Sequence, residues 1–362
     1  MVAREDRMPD EIVGYGCQVD PSRVCAITVT YADRFAYLQQ VVVAAIASGV
    51  GKVIVVDNAA SAQSREQMTA LAQTSDGQVV VLSMAENLGS AGGFKAGLVY
   101  AMGQPGCDYF WLLDDDNVAG RDTLATLLSA YAELCDGCAN GLVAVQCFRE
   151  QRFFRGIRDR RRPIQARRSV FLGFHLALLG SLFRRRPLLH RRVRHTPDAQ
   201  PMAAVEIPSG VYGGLLLSRE LVQTIGYPNE DLYVYVDDTE YTHRISRAGG
   251  RLFLTPGSAL HDVDRSFHMT TKPITFLTRM RQSLLARDPF RAYYATRNQA
   301  YFDRHMLRGS RLLYALNRSG YLSLLIVCGL WLGRVRRLRL MLGAIREGER
   351  GLLGRRDPLP DA

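Results

Sequence analysis

The stretch YFWLLDDDN, residues 109–117, runs five apolar or aromatic residues directly into three consecutive aspartates. The apolar part has the length and composition of a buried strand, and Asp114, Asp115 and Asp116 follow at its carboxyl end. Adjacent carboxylates repel one another, and their burial is costly unless a cation compensates the charge. Mg²⁺ and Mn²⁺ take oxygen ligands and complete their shell with substrate phosphates. The stretch therefore predicts a metal and diphosphate site, with a simple helix cap as the alternative.

Short apolar strands alternate with helical segments on both sides of this stretch. Continuous apolar strands separated by helices are typical of a mostly parallel sheet covered on both faces, and ligands of such sheets bind beyond the carboxyl ends of the strands. The sequence therefore predicts an α/β fold. The predicted strands are 24–30, 52–57, 79–83, 109–113, 142–147, 213–218, 232–236 and 251–255, and the predicted helices are 35–48, about 63–74, from about 93, 121–135 and 237–249.

Basic residues are concentrated between Arg149 and Arg194, where fifteen arginines stand against only Glu150 and Asp159 in a chain of net charge +11. They surround an apolar run, 170–183, which is shorter than the roughly 20 residues of a spanning helix. A basic amphipathic segment favours an anionic membrane surface, and a buried helix with solvated flanks is the alternative. No nucleic-acid partner is expected, because no nucleic-acid-binding motif accompanies the arginines.

Beyond Arg265 only helices are predicted. The apolar run 319–333 is followed by basic residues at 334–340, which repeats the pattern of an interfacial helix. A full span extended back to Leu312 would include Arg318, at a cost of about 2.5–3.5 kcal/mol for a central arginine. We therefore expect this region to lie on a membrane surface and not to cross it.

Four further motifs carry residues suited to a ligand. The glycine-rich stretch ENLGSAGGFKAG, residues 86–97, allows close backbone approach to a phosphate at a helix start. Asp57 and Asn58 end the second strand and are suited to a nucleobase or ribose, with a helix cap as the alternative. Asp237, Asp238 and Glu240 open a helix, where the macrodipole alone would favour acidic residues. His261 and Asp262 follow the last strand, where a histidine could complete a metal site.

Taken in chain order, these motifs resemble the inverting family 2 glycosyltransferases with the GT-A fold, over about residues 23–264. The resemblance rests on VTYADR, VVDNAAS, ENLGSAGGFKAG, WLLDDDN, the glycine-rich and acidic stretch 208–250, and LHD. NLGSAGGF, LDDD and YYATRN (293–298) are most similar to the bacterial branch that contains galactofuranosyl and rhamnosyl transferases.

The resemblance implies a role for each motif. Asp238 matches the catalytic base, which would take a proton from the acceptor hydroxyl during a single inverting displacement. Asp114 and Asp116, assisted by His261, would hold Mn²⁺ or Mg²⁺, and the metal would stabilise the leaving diphosphate. Many members of the family carry an arginine where this sequence has Ala96. Here either Lys95 supplies the positive charge for the phosphate or no residue does. The implied nucleotide-sugar site comprises Thr30, Asp57, Asn87, Gly89, Gly92, Gly93, Lys95 and Asp115.

The expected activity is metal-dependent transfer of a sugar, galactofuranose or rhamnose, from a UDP- or dTDP-linked donor to a lipid-linked bacterial glycan. The expected place is the cytoplasmic face of the inner membrane, with peripheral attachment and reduced cysteines, and oligomerisation is left open. A nucleotidyltransferase and a catalytically inactive, membrane-docked partner of a glycan assembly complex are the alternatives. The predicted division is a tail (1–22), a GT-A domain (23–265) with a basic amphipathic insertion (149–200), and a C-terminal helical, membrane-associating region (266–362).

Overall fold

The computed structural model describes residues 19–138, 140–149, 167–177, 204–264, 276–307 and 309–359. The strands are β1 Val24–Ala32, β2 Lys52–Ala60, β3 Val79–Ser83, β4 Tyr109–Asp114, β5 Asn117–Ala119, β6 Val143–Arg149, β7 Val205–Ile207, β8 Leu215–Ser218 and β9 Arg251–Asp262. The helices are α1 Phe35–Ala47, α2 Ala62–Gln73, α3 Gly89–Met102, α4 Thr123–Asp136, α5 Arg219–Ile225, α6 Asp237–Arg247, α7 Phe276–Leu285, α8 Pro289–His305, α9 Arg311–Trp331 and α10 Val335–Arg350.

The nine strands form one sheet in the order β3-β2-β1-β4-β8-β6-β9-β5, with β7 also paired to β9. Strands β3, β2, β1 and β4 are mutually parallel, as are β6 and β9. Strand β8 is antiparallel to both β4 and β6, so these two run in the same direction. The carboxyl ends of β1, β2, β4 and β6 therefore meet at one edge of the sheet, as predicted for an α/β fold with a mostly parallel sheet.

Two apolar cores cover the faces of this sheet. One packs Leu38, Val42 and Leu127 against the strands from the side of α1 and α4. The other packs Phe94, Tyr241 and neighbouring side chains from α3 and α6. Burial of both faces explains why the strands read as continuous apolar runs and not as alternating ones.

The C-terminal helices form a third apolar cluster, in which Tyr314, Tyr321 and Leu325 of α9 meet Leu338 and Met341 of α10. Helix α8 packs along α10 and faces the segment before α6. The C-terminal helices therefore contact the segment that leads into Asp237 and Asp238.

The prediction of a strand at 232–236 is wrong. Residues 230–232 form a 3₁₀ turn, and Tyr233, Tyr235 and Val236 have φ of 65°, 64° and 67°. These left-handed conformations cannot pair as a strand. The apolar pattern reflects packing against α8 instead, since the Tyr233 ring lies 5.3 Å from that of Tyr294.

The prediction of an interfacial helix over 170–183 is wrong for residues 170–176, and Ala177 is the first helical residue of the run. Phe171 and Phe174 form a two-way backbone bridge around a tight turn, and both rings are fully buried. The Phe171 ring packs edge-on to Tyr314 and Tyr321, so these aromatics serve the C-terminal core. Residues 178–183 lie outside the described residues.

One cysteine pair departs from the expectation of reduced thiols. Cys25 on β1 and Cys107, which precedes β4, are joined by a disulfide. Cys138, Cys147 and Cys328 carry free thiols. The bond links the neighbouring strands β1 and β4 at the edge opposite the aspartates.

Candidate active site

The first acidic group begins where β4 ends, and Asp115 is its most buried member. Thr30 Oγ1 donates to Asp115 Oδ2 at 2.9 Å, and Arg34 donates through Nε at 2.8 Å and Nη2 at 2.9 Å. Burial raises the pKa of Asp115, and Arg34 and Thr30 oppose that rise. Asp115 thus ties the end of β4 to the end of β1 and the start of α1, so both predicted donor-site residues, Thr30 and Asp115, lie at this edge.

Asp114 shares a buried arginine with Asp262 of β9. Arg149, the last residue of β6, has a side chain only 1% exposed and donates Nη1 to Asp114 Oδ2 at 2.8 Å and Nε to Asp262 Oδ1 at 3.1 Å. Asn117 Nδ2 donates to Asp116 Oδ1 at 3.0 Å and to Asp262 Oδ1 at 2.9 Å. Arg149 lies at the start of the predicted basic insertion, but it serves this site and not a membrane surface.

The carboxylates here outnumber the arginines. Arg34 also pairs with Asp264, so five carboxylates, of Asp114, Asp115, Asp116, Asp262 and Asp264, meet the two guanidinium groups of Arg34 and Arg149. Burial and then the charges of Asp114 and Asp115 raise the pKa of Asp116 to about 6. The excess of negative charge is the property that a cation would relieve.

The residues fit a hard divalent cation in charge and donor type. Asn117 is fully buried, and its Oδ1 has no hydrogen-bond partner within the described residues, so one oxygen acceptor at the site is unsatisfied. Carboxylate and amide oxygens are the ligands that Mg²⁺ and Mn²⁺ prefer. Among the described residues, however, no three His, Cys, Asp or Glu side chains converge as a ready metal centre. The arginines occupy part of the coordination capacity of Asp114 and Asp262.

His261 is placed apart from this group. It is exposed and pairs with Val118 in the ladder between β9 and β5, whereas Asp262 pairs with Asn117. Successive strand residues point to opposite faces, so His261 points away from the face on which Asp262 meets Arg149. The structure thus brings Asp262 to the aspartates, and the metal role of His261 stays a prediction.

The second acidic group opens α6. Asp237 is buried, and Ser90 Oγ of α3 donates to its Oδ2 at 2.6 Å. Burial and the neighbouring Asp238 carboxylate raise the pKa of Asp237 to about 8. Asp238 is half-buried and accepts the amide of Thr239 at 2.6 Å. The pair therefore combines a buried, proton-binding carboxyl with a more accessible one.

The two acidic groups are connected through adjacent residues of the loop 208–214. A side chain on Gly213 would lie 2.2 Å from Asn117 Oδ1 and 2.7 Å from Asp114 Oδ2, so a larger residue would have to displace these side chains. The preceding residue, Tyr212, is fully buried; burial and the charges of Asp237 and Asp238 raise its pKa. Consecutive residues of this loop thus lie next to the predicted metal ligand Asp114 and within electrostatic reach of the predicted base Asp238.

The glycine-rich loop is held by asparagines and close packing. Asn58 Oδ1 accepts the amide of Leu88 at 2.8 Å, and Asn87 Oδ1 accepts that of Gly89 at 2.8 Å. A side chain on Gly89 would lie 2.0 Å from the carbonyl oxygen of Tyr233. One on Gly93 would lie 2.5 Å from Val29, and one on Gly92 2.6 Å from Leu88. Packing accounts for these glycines, and Asn58 is a support of the loop.

Asp57 and Lys95 have protein partners. Asp57 is fully buried at the end of β2, with one oxygen accepting the amide of Ala60 at 2.8 Å and the other paired with Arg65 at 2.7 Å. Lys95 Nζ pairs with Glu230 at 2.6 Å near the surface. The structure therefore gives Asp57 a local role in the turn between β2 and α2, and a phosphate would have to compete with Glu230 for Lys95.

Sequence reasoning passed over Arg34, Arg149, Asp264 and Tyr212. Arg149 follows the predicted strand 142–147 by two residues, and the end of a parallel strand is a position that could have revealed it. Arg34 stands within VTYADR, four residues after Thr30. Tyr212 carries no charge, so no sequence signal distinguishes it from a core tyrosine.

Known proteins match this chain over its first half and beyond. Residues 25–191 match the sequence model of Glycosyl transferase family 2. Galactofuranosyltransferase GlfT1 of Mycolicibacterium smegmatis is 30% identical over 242 residues, which cover 62% of this chain and 66% of that protein. The chain belongs to glycosyl transferase family 2. Galactofuranosyltransferase GlfT1 of Mycobacterium tuberculosis is 29% identical over 172 residues, 46% of each chain, so the match spans 46–66% of these relatives.

Family membership and the sheet described above confirm the GT-A fold and the likeness to the galactofuranosyl branch. Among solved structures, GalNAc-T7 with UDP, GalNAc and Mn²⁺ aligns with a TM-score of 0.48 at 14% identity, over 82% of this chain and 53% of that one. The mannosyltransferase PcManGT from Pyrobaculum calidifontis, in complex with GDP-Man and Mn²⁺, aligns with a TM-score of 0.46 at 18% identity, over 91% and 88%. TM-scores below 0.5 are too low to transfer a site or a substrate.

Proposed function

We propose that this chain transfers a hexose, galactofuranose or rhamnose, with inversion from a UDP- or dTDP-linked donor to a lipid-linked glycan. The observation that carries the proposal is the pairing of two acidic groups across the loop 208–214, with Asp114 and Asn117 against Gly213 and the Asp237–Asp238 pair against Tyr212. One group suits a donor diphosphate with its cation, and the other suits an acceptor hydroxyl. Two relatives named galactofuranosyltransferases support the sugar class.

In this proposal Asp238 is the general base. Asp237 is the buried member of the pair and holds a proton at neutral pH, because its pKa is raised to about 8. Asp238, at the more accessible position in the first turn of α6, then accepts the proton of the attacking hydroxyl. The N-terminal end of α6 also favours a negative charge at this position.

On the donor side, Asp114, Asp116 and Asn117 would hold a divalent cation, Mn²⁺ or Mg²⁺, which stabilises the leaving diphosphate when bound. Arg149 holds Asp114 and Asp262 in place, and Arg34 does the same for Asp115. The carboxylate of Asp114 is partly exposed and paired with Arg149, and it would bind the cation beside that arginine. Loop 86–93, fixed by Asn58 and Asn87, lies at the ends of β2 and β3, where a nucleotide would bind.

The acceptor is proposed to be lipid-linked because α9 offers an apolar surface to an anionic membrane. Leu312, Val327, Leu330 and Trp331 are 71%, 64%, 59% and 83% exposed on this helix. Exposed arginines at 334, 336 and 339 follow directly. By length and composition α9 is the one described helix able to cross a membrane, with 28% of its apolar window buried in the protein.

Attachment at the surface fits α9 better than a span. Its inner face is committed to the protein, because the Asn317 side chain binds the backbone of Ser169 and Leu176, and Arg318 pairs with Glu349 of α10 at 2.7 Å. A cavity of about 340 Å³ beside it is lined by Arg304, Arg311, Arg318 and Glu349, of which Glu349 already pairs with Arg318. Guanidinium groups next to an exposed apolar stripe suit phosphate head groups and acyl chains together.

A donor screen tests the proposed transfer. UDP-galactofuranose and dTDP-rhamnose, each with Mn²⁺ or Mg²⁺, are offered with a lipid-linked glycan acceptor, and transfer is read by mass spectrometry of the product. The proposal expects turnover with one of these donors and its loss on chelation of the metal. If no nucleotide sugar shifts the melting temperature and none is turned over, the inactive-partner alternative replaces the proposal.

Liposome binding tests the proposed membrane contact. The variant Leu330→Asp/Trp331→Asp is expected to lose binding to vesicles that contain phosphatidylglycerol. Val43→Asp/Val99→Asp changes two apolar side chains that are 56% and 48% exposed on α1 and α3, and it is the matched control that should keep binding. Equal binding by both variants and the intact chain would remove the membrane from the proposal.

A further inference from the structure

The backbone that leads into α6 is strained. Tyr233, Tyr235 and Val236 all have φ near +65°, a conformation that costs on the order of 1–3 kcal/mol for each residue that is not glycine. Val236, the residue before Asp237, is β-branched and therefore particularly unsuited to it. Such a segment persists only where the surroundings hold it, and its end sets the direction of the first turn of α6.

Asn298 of α8 holds this segment directly. It is fully buried, and its Nδ2 donates to three backbone carbonyls, those of Leu232 at 2.7 Å, Val234 at 2.9 Å and Tyr235 at 2.9 Å. An amide nitrogen has only two hydrogens, so the three carbonyls share them. Each bond fixes the orientation of a peptide group between the 3₁₀ turn and Val236.

Arg297 supports Asn298 and extends the contact to the end of the chain. Its Nε donates to Asn298 Oδ1 at 2.9 Å, its Nη2 to the Leu232 carbonyl at 3.2 Å, and its Nη1 to the Gly354 carbonyl at 2.6 Å. The guanidinium is fully buried and lies 4.8 Å from the Tyr294 ring centroid. A buried cation that binds backbone carbonyls is costly to retain, which favours a specific role for it.

The segment after α10 closes the same assembly. Gly354 donates its amide to the Asp231 carbonyl at 2.6 Å. Arg355 pairs with Glu86 at 2.8 Å and lies 5.8 Å from the centroid of the Tyr233 ring. Residues 351–357 thus join the glycine-rich loop to the strained segment.

We propose that Asn298 and Arg297 are positioning residues that hold segment 232–236 in its left-handed conformation and thereby aim Asp238 at the acceptor. The proposal deepens the proposed function and depends on it for the role of Asp238. The two side chains act through the backbone and contact no predicted substrate group. Their loss would misplace a base that must be within hydrogen-bond reach of the acceptor hydroxyl.

The test compares two buried asparagines of the same chain. Asn298→Asp removes the donor group at nearly constant shape, and Asn317→Asp makes the same change at a fully buried asparagine that binds Ser169 and Leu176 instead. Asn298→Asp is expected to lower kcat by about 10²-fold with the donor KM within about threefold, because displacement of a catalytic group raises the barrier after binding. Asn317→Asp should lower the melting temperature similarly and keep kcat within about threefold. Equal kcat losses in the two variants, or none in Asn298→Asp, would overturn the proposal.

Hydrogen exchange provides a readout that needs no activity and no change at Asn298. Arg297→Lys keeps the charge and removes the planar fork, so the amides of residues 233–240 should exchange faster while those of β1 do not. Unchanged exchange at 233–240 in this variant contradicts the proposal. If that exchange accelerates but the intact protein transfers no sugar, the proposed function fails. The conclusion that Arg297 and Asn298 hold segment 232–236 then still stands.

Discussion

The two acidic groups of this protein are stabilised in opposite ways. Around Asp114–Asp116, the partly buried Arg34 before α1 and the buried Arg149 of β6 neutralise part of the charge, and Asp115 alone receives two bonds from Arg34. At Asp237–Asp238, the buried carboxyl receives a hydroxyl bond from Ser90, and its pKa is raised to about 8. The first group keeps its charge with cations, and the second keeps a proton.

The difference matches the chemistry that each group would perform. A site for a cation and a diphosphate needs charged oxygens held at fixed positions, which ion pairs to Arg34 and Arg149 provide. A general base needs an accessible carboxylate, and Asp238 offers one beside the buried, proton-binding Asp237.

The largest effect is expected at Asp238. Asp238→Asn removes the base and keeps the shape, so kcat should fall by about 10³-fold while donor affinity stays unchanged. Steady-state kinetics and calorimetric titration of the donor measure the two quantities. Asp76→Asn, on an exposed turn, is the control. A fall in donor affinity that accounts for the whole loss would instead assign Asp238 to the donor site.

Arg149→Gln tests how much the buried arginine stabilises the first acidic group. Breaking the buried pairs to Asp114 and Asp262 is expected to lower the free energy of unfolding by about 3 kcal/mol, the low end for a buried pair because Asp114 is 32% exposed. Mn²⁺ should raise the free energy of unfolding more in this variant than in the intact protein. Without the Arg149 guanidinium, the oxygens of Asp114 and Asp262 are left to bind the metal. Arg251→Gln, in an exposed pair with Glu206, should cost less than about 1 kcal/mol. Equal Mn²⁺ effects on the Arg149 variant and the intact protein would refute this account of the group.

Gly213→Ala tests the connection between the groups. The added methyl would lie within 2.7 Å of Asn117 Oδ1, Arg149 Nη1 and Asp114 Oδ2, so a loss of about 2 kcal/mol in stability is expected, together with weaker donor binding. Urea unfolding and donor titration measure both. Gly343→Ala, where nothing lies within 4 Å of the added methyl, is the control. Unaltered donor binding in a stable Gly213 variant would separate the loop from the donor site.

The Asp237 carboxyl should make the stability of the protein depend on pH. The folded pKa of Asp237, about 8, exceeds its ordinary value of 3.8, so the folded state binds the extra proton between these values. Its contribution to stability is full below pH about 4 and is lost as pH rises to about 8. Asp237→Asn does not titrate, so its stability relative to the intact protein should rise from pH 5 to pH 8. Urea unfolding at pH 5 and pH 8 measures the free energy of unfolding of both proteins. A difference between them that is the same at both pH values would contradict the raised pKa.

Much of this arrangement could be predicted from the sequence. Strands 24–30, 52–57 and 109–113 were placed correctly because β-branched and aromatic runs between helical periods leave few other folds. Their common direction then put Thr30, Asp57 and Asp114 at one edge. The acidic pair was also placed correctly at the start of a helix, α6.

Three features depended on tertiary contacts that spacing does not encode. The apolar run 232–236 forms no strand, because its side chains pack on α8 while Asn298 binds its carbonyls. Arg149 is a buried partner of Asp114, although composition grouped it with surface arginines. Phe171 and Phe174 enter the C-terminal core, although the flanking charges suggested a membrane surface.

The central claim is that the two acidic groups face one bound donor. A crystal structure of Asp238→Asn with Mn²⁺ and the donor found by the screen tests it most directly, with the metal located by its anomalous scattering. The account predicts the metal at about 2.2 Å from carboxylate oxygens of the Asp114–Asp116 group and the anomeric carbon between that group and residue 238. A nucleotide bound elsewhere, or a metal without contact to Asp114 or Asp116, would contradict it.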